Sequence, residues 1–176
     1  MKFVRRINIF FDRIEHDIRL FAIKPSIILS CFSLFLGILS WVIGGRADRV
    51  MLIYIFPRSA ISLEIMYFLW ALSFAFIGLI VGGVIFGCEK YKKREAGKIV
   101  VFLILTLLFM LCVHPTFFKS LSPFFAFVFL LLAGFFCLLA IFASIRIYSL
   151  WTICLTMHLF WLLYNGFLAL TITLIN

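Results

Sequence analysis

Residues 123–145 read PFFAFVFLLLAGFFCLLAIFASI, twenty-three consecutive residues without a charged side chain. A helix needs about 20 apolar residues to cross the hydrocarbon core of a bilayer. That core holds no water for backbone N–H and C=O groups, so a run of this length must be a helix, which pairs them internally. Pro123 suits a helix start, where its missing N–H is no loss. The stretch therefore predicts a transmembrane helix.

Four further segments share this apolar character and length. With the first, the predicted spans are approximately 26–45, 63–87, 99–118, 123–145 and 150–175. The short loops before and after the fourth span require antiparallel neighbours. We therefore expect an all-α integral membrane protein, with a five-transmembrane-helix bundle over residues 26–176.

The composition agrees with a lipid environment. Of 176 residues, 66% are apolar and 13% are charged, whereas a soluble domain has about 45–50% and about 25%. A water-soluble globule of this size would have to expose much of that apolar surface. This excludes a cytosolic enzyme, a disordered tail and, despite the net charge of +9, a nucleic-acid-binding protein. The expected partner is the lipid bilayer.

Residues 1–25 form a separate unit with a helical pattern. Its apolar residues recur every three or four positions, at Phe3, Val4, Ile7, Phe10, Phe11, Ile14, Ile18 and Phe21. Charged residues lie between them, as in an amphipathic helix at the membrane interface. Membrane anchoring is the first interpretation, and binding of a partner protein is the alternative.

The basic residues predict an orientation. Twelve of the sixteen Lys and Arg residues fall in the N-terminal segment, the second loop and the fourth loop, which lie on one side of the predicted bundle. Loops rich in Lys and Arg stay in the cytoplasm. We expect a multi-pass protein of a bacterial inner membrane with its N-terminus in the cytoplasm.

The fifth span carries a polar and aromatic stripe. Trp151, Cys154, His158, Trp161 and Asn165 share one helical face. An imidazole and an amide are costly in lipid, so this face should point into the bundle. One interpretation is that the polar groups hydrogen-bond across helices. The other is that the stripe lines a pocket for a flat apolar ligand.

Two glycine pairs on the second span permit close helix approach. They are Gly78 with Gly82 and Gly83 with Gly87, each at a four-residue spacing. Packing within the bundle and a homodimer both fit this pattern.

The sequence offers no pattern typical of catalysis or metal binding. Its five cysteines are isolated and have no metal-ligand spacing. Paired carboxylates at depth, a Ser–His–Asp order and a phosphate-binding glycine loop are also missing from the sequence. We predict no catalytic residues and no metal site, and we lean against an enzyme.

Three local motifs resemble the TspO/MBR family, the translocator or tryptophan-rich sensory proteins. The family's Trp-x-x-x-Tyr-x-x-x-Gly looks like Trp70, Phe74 and Gly78. Its Trp-Ser-Pro-Leu-Phe-Phe looks like Val113–Phe118, and its Pro-Tyr-Leu-x-Trp with a final Asn looks like 157–161 and Asn176. Gly37 also stands at the family's glycine in helix one, and Pro57 at the proline of its first loop. The resemblance covers about 26–176 and implies a five-helix membrane protein.

The pocket residues of that family are largely replaced. The differing positions are Val50, Met51, Ile61, Ser62, Thr106, Met110, Val113, Met157, His158 and Ala169, the last of which follows the retained Leu168. The scaffold is kept while the pocket chemistry differs. The helix-three tryptophan that would support the family's proposed porphyrin breakdown is among the losses.

The resemblance implies a binding protein or sensor, a receptor for a planar hydrophobic ligand such as a porphyrin or sterol. The aromatic residues that would stack on it are Trp70, Phe74, Phe117, Phe118 and Trp161. His158 stands at the family's Tyr, where it would bond a propionate or ligate haem iron. Asn165 shares its helical face.

The first loop would close this pocket as a lid. It carries Arg46, Arg49 and Arg58, which would meet ligand carboxylates. We predict no cofactor other than a porphyrin or haem held as the ligand. The alternative function is a ligand-free membrane scaffold or accessory subunit that acts through helix–helix contacts.

Overall fold

The computed structural model describes residues 2–19, 21–45, 48–58, 60–87, 93–145, 147 and 149–176. Within these ranges, the side chains of residues 2–10, 48, 49, 51 and 93 are outside the description.

The described residues form seven α-helices. They are α1 (Lys2–Arg19), α2 (Ile23–Gly44), α3 (Asp48–Ile53), α4 (Leu63–Phe86), α5 (Lys93–His114), α6 (Pro123–Ser144) and α7 (Ser149–Ile175). Helices α2, α4, α5, α6 and α7 are long and apolar enough to cross a membrane. The predicted all-α membrane bundle is confirmed, and the chain is an integral, multi-pass membrane protein. The short helix α3 lies inside the predicted first loop.

A π-helical turn, Pro115–Lys119, continues α5. Pro115 has no N–H, so the carbonyl of Leu111 loses its usual helical partner. The Ser40 hydroxyl of α2 donates to that carbonyl oxygen at 3.0 Å. A neighbouring side chain thus satisfies the freed backbone group, which is how a proline is tolerated at membrane depth. The same bond ties α2 to α5.

Helices α2 and α4 pack through small residues. The buried residues of α2 are Ser26, Ser33, Gly37, Ser40 and Gly44. A Cβ atom at Gly78 would lie 2.5 Å from the Leu29 carbonyl oxygen, and one at Gly82 would lie 2.5 Å from the Ser26 Cα. These two glycines therefore face α2 inside the bundle.

The second glycine pair has different surroundings. A Cβ atom at Gly83 would collide with the indole ring of Trp151 on α7. Gly87 ends α4, and its N–H donates to the Gly83 carbonyl at 2.9 Å. Three of the four glycines thus lie against other helices of the same chain.

Hydrogen bonds from short side chains join the remaining spans. Thr106 Oγ1 lies 3.4 Å from the Ala133 carbonyl, between α5 and α6. Ser144 and Thr152 share a hydrogen bond of 2.8 Å between α6 and α7. Such bonds hold helices together where lipid removes the hydrophobic driving force.

Helix α1 is docked on the start of α7. Asp17 is 6% exposed, and its Oδ2 accepts a hydrogen bond from the Leu150 N–H at 3.2 Å. Phe21 packs on Trp151 with ring centroids 5.4 Å apart. A carboxylate at a helix N-terminus is favoured by the helix dipole. The amphipathic helix therefore has a polar contact with the bundle as well as exposed apolar side chains.

Asp17→Ala is expected to loosen this docking. Loss of a carboxylate cap costs about 1 kcal/mol, so the Leu150 amide should exchange faster and trypsin should cleave α1 more readily. Hydrogen exchange and limited proteolysis in nanodiscs measure both. Asp12→Ala, at an exposed position of the same helix, is the control, and equal effects of both variants would contradict a specific cap.

Candidate functional site

A small cavity lies under the first loop, among α4, α5, α6 and α7. Its volume is about 40 Å³. The residues that line it are Phe56, Ala60, Ile61, Leu63, Met66, Trp70, Val113, His114, Phe117, Phe118, Ala126, Leu130, Asn165, Leu168, Ala169 and Ile172. The walls are thus mostly apolar, with polar groups from one tryptophan, one histidine and one asparagine.

Aromatic rings make one wall of the cavity. Trp70 and His114 have ring centroids 4.7 Å apart and an interplanar angle of 34°. Phe118 lies 5.4 Å from His114 in an edge-on arrangement, and Phe117 lies 4.9 Å from Phe118. The π-helical turn carries both phenylalanines directly after His114, so the break at Pro115 helps to assemble this wall.

Two buried polar atoms of the lining residues have no hydrogen-bond partner among the residues that the structure describes. They are the Nε1 of Trp70 and the Nδ1 of His114, and their residues are 2% and 3% exposed. A buried unpaired polar group costs about 1–3 kcal/mol. Such groups indicate a water, an ion or a functional role. The cavity has room for a few waters or for the polar edge of a ligand.

Side chains from distant parts of the chain hold the first loop over the cavity. Asn176 accepts from the Ile55 N–H at 2.8 Å and donates to its carbonyl at 3.2 Å. The Tyr54 hydroxyl donates to the Leu121 carbonyl at 2.6 Å. The Ile61 N–H donates to the Tyr164 hydroxyl at 3.3 Å. The loop is therefore fastened to α7 and to the α5–α6 connection.

Four of the predicted ligand-binding residues line this cavity. They are Trp70, Phe117, Phe118 and Asn165. The amide nitrogen of Asn165 also donates to the Trp161 carbonyl, one turn earlier in α7, at 2.8 Å. Phe74 is fully buried and packs on Trp70 with ring centroids 6.0 Å apart. It lies among the helices and outside the cavity lining.

The other two predicted residues, His158 and Trp161, lie elsewhere. They line a separate groove between α4 and α7 that opens on the outer surface of the bundle. The predicted stripe of α7 is therefore divided, with Asn165 at the cavity and its neighbours at the groove.

Of the three predicted lid arginines, the structure describes the side chain of one. Arg58 is exposed on the loop. Arg46 lies outside the described residues, and Arg49 lies in α3 with its side chain outside the description.

Sequence reasoning assigned no site role to His114, Tyr54, Tyr164 or Asn176. The available signal for His114 was an imidazole next to a proline at the end of an apolar span. The loop contacts left no sequence signal, because each joins residues far apart in the chain. In the described part of the chain, no three His, Cys, Asp or Glu side chains gather as a metal site would require.

Comparison with known proteins identifies no family for this chain. No family profile matches the chain, and no curated protein matches it. The TspO/MBR resemblance stays a prediction.

Proposed function

We propose that this protein binds a planar hydrophobic ligand, a porphyrin or a sterol, beside the Trp70–His114 pair. The observation that carries this proposal is the pair of unpartnered nitrogens in the aromatic wall of the loop-covered cavity. Indole Nε1 is a donor only, while a neutral imidazole nitrogen is either a donor or an acceptor. The rings supply stacking surface, and the two nitrogens recognise a polar edge.

A ligand as large as a porphyrin or a sterol can bind here only if the first loop moves. Pockets for drug-sized molecules measure about 300–1,000 Å³, whereas the closed cavity measures about 40 Å³. Phe56, Ala60 and Ile61 form the loop side of the cavity, so lifting them enlarges it. In this proposal, the loop is a lid whose fastenings are Tyr54, Tyr164 and Asn176.

The remaining features complete the proposal as a divergent TspO-like receptor. Arg58, together with Arg46 and Arg49, supplies positive charge for ligand carboxylates. The excess of Lys and Arg on one side supports a bacterial inner membrane with the N-terminus in the cytoplasm. The lid then faces away from the cytoplasm.

A membrane scaffold or accessory subunit is the second candidate. The small volume of the closed cavity favours it, because a filled core needs no ligand. Gly78 and Gly82 face α2 within the bundle, which leaves the outer helix faces and α1 for contacts with partners. A second copy bound through these outer faces would make a homodimer.

Titration of the purified protein with protoporphyrin and hemin tests the proposal. We expect saturable tryptophan quenching and a shifted Soret band. Trp70→Phe and His114→Phe leave an aromatic ring at each position but remove the nitrogens, and each should weaken binding about tenfold. His158→Phe is the matched control in the separate groove and should leave affinity unchanged. Linear quenching that is identical in all variants would mean micelle partitioning and would favour the scaffold.

A further inference from the structure

A groove between α2 and α4 lies on the surface of the bundle. Its volume is about 600 Å³. Side chains from both helices line it and are at least two-fifths exposed, among them Ile38 of α2 and Phe68 and Leu72 of α4. Because both helices are long and apolar enough to cross a membrane, the groove opens toward lipid.

Small residues create the space between the two helices. A Cβ atom at Gly37 would lie 3.1 Å from the Ala71 Cα, so α2 and α4 are in close contact at this level. Ala71 and Ala75, one turn apart on α4, line the groove beside that contact. Their methyl groups leave room that a larger side chain would fill.

The length of the groove matches one leaflet of a bilayer. Its lining extends along α4 from Glu64, the second residue of the helix, to Ala75. That distance is about 16 Å at 1.5 Å per residue, and half of the hydrocarbon core is about 15 Å. The groove therefore has the depth of a single acyl chain, with Glu64 at the level of the headgroup.

The headgroup end of the groove suits a cation. Glu64 is exposed, and no side chain in the described part of the chain forms an ion pair with it. Trp41 lines the same end and is 46% exposed. The Tyr67 ring packs against it, with centroids 5.3 Å apart, and so holds the indole in place. A carboxylate and an indole face both attract an ammonium group.

We propose that this groove binds one phospholipid with an ammonium headgroup, taken from the leaflet on the side of the first loop. The ammonium group meets Glu64 and Trp41, and one acyl chain lies along Ala71 and Ala75. An anionic phospholipid has the same chains but no cation for the carboxylate. None of the described residues lines both this groove and the loop-covered cavity, and lipid binding here does not depend on the function proposed for that cavity.

Native mass spectrometry of the full chain, titrated in detergent with dioleoylphosphatidylethanolamine, measures the complex with one lipid. Dioleoylphosphatidylglycerol is the matched control, because it has the same acyl chains and phosphate with glycerol in place of ethanolamine. We expect the wild type to bind the ethanolamine lipid about tenfold more tightly, the combined effect of a surface charge pair and a cation–π contact. Equal affinity for the two lipids would overturn the proposal without any variant.

Variants locate the bound lipid. Glu64→Gln and Trp41→Leu should each lower the preference for the ethanolamine lipid about threefold. Glu95→Gln, which removes a carboxylate paired with Lys98 on α5, should keep the preference. Ala71→Leu should weaken binding of both lipids, because its side chain fills the groove.

Two results with these variants would overturn the proposal. One is a preference that Glu64→Gln retains in full, since the cation would then bind elsewhere. The other is a lipid-free dimer of the wild type that Ala71→Leu disrupts, because a second copy of the chain would then occupy the groove.

Discussion

Gly78→Ala and Gly82→Ala are each expected to destabilise the bundle by about 2–3 kcal/mol, as overpacking does in a well-packed core. The new methyl group would meet the Leu29 carbonyl oxygen or the Ser26 Cα at 2.5 Å. Both are backbone atoms, which cannot turn aside as a flexible side chain does. Helices α2 and α4 must therefore separate. Unfolding in mixed micelles, followed by helicity, measures the loss.

Two other buried glycines provide matched controls. A Cβ atom at Gly134 would lie 3.7 Å from a Leu159 methyl group, and one at Gly166 would lie 3.9 Å from the Leu130 Cβ. These are ordinary contacts, so alanine there should be neutral or should stabilise by up to about 1 kcal/mol through helix propensity. If all four alanine variants lost the same stability, the close contact of α2 with α4 would be refuted.

The second large effect is expected from releasing the first loop. The variant Tyr54→Phe, Tyr164→Phe, Asn176→Ala removes the side-chain hydrogen bonds that fasten the loop. Each bond contributes about 0.5–1.5 kcal/mol net. The open population should rise at least about tenfold, since 1.4 kcal/mol is a factor of ten. Amide exchange of Ile55 and Ile61 should accelerate accordingly.

The same variant separates loop motion from ligand affinity. If the loop is a lid over the proposed site, porphyrin association should also become at least about tenfold faster. Asn176→Asp is the intermediate control, because it keeps the oxygen that accepts from the Ile55 N–H but loses the donor. Unchanged exchange in the triple variant would contradict the fastening. Faster exchange with unchanged association would show that ligand does not enter under the loop.

The spans were accessible from sequence because their signal is local. An uncharged run such as residues 123–145 has one viable structure in lipid, where every backbone group must be paired within the segment. Pro115 shows that a local signal does not reveal contacts between helices. Its missing N–H is evident from the sequence, but the Ser40 hydroxyl that satisfies the freed Leu111 carbonyl comes from a helix about seventy residues away.

The candidate site was only partly predictable. Asn165 was singled out because an amide is costly in lipid, and Trp70, Phe117 and Phe118 were named through the family resemblance. These four residues line one cavity. The separation of His158 from that cavity was not predictable, because helical periodicity places it on the same face as Asn165. In the structure, two parts of α7 that share a face by periodicity border different spaces, the cavity at Asn165 and the groove at His158.

The sequence by itself determined that lipid surrounds this chain, that it is helical, and that five helices are long enough to span. Only the tertiary structure decided which faces meet, including the contact of Gly78 and Gly82 with α2, the Trp70–His114 wall and the groove at His158. The physical reason is that lipid tails are as apolar as leucine. Hydrophobic patterning, which marks the buried face of a helix in water, therefore does not separate the interior of this bundle from its lipid-facing surface.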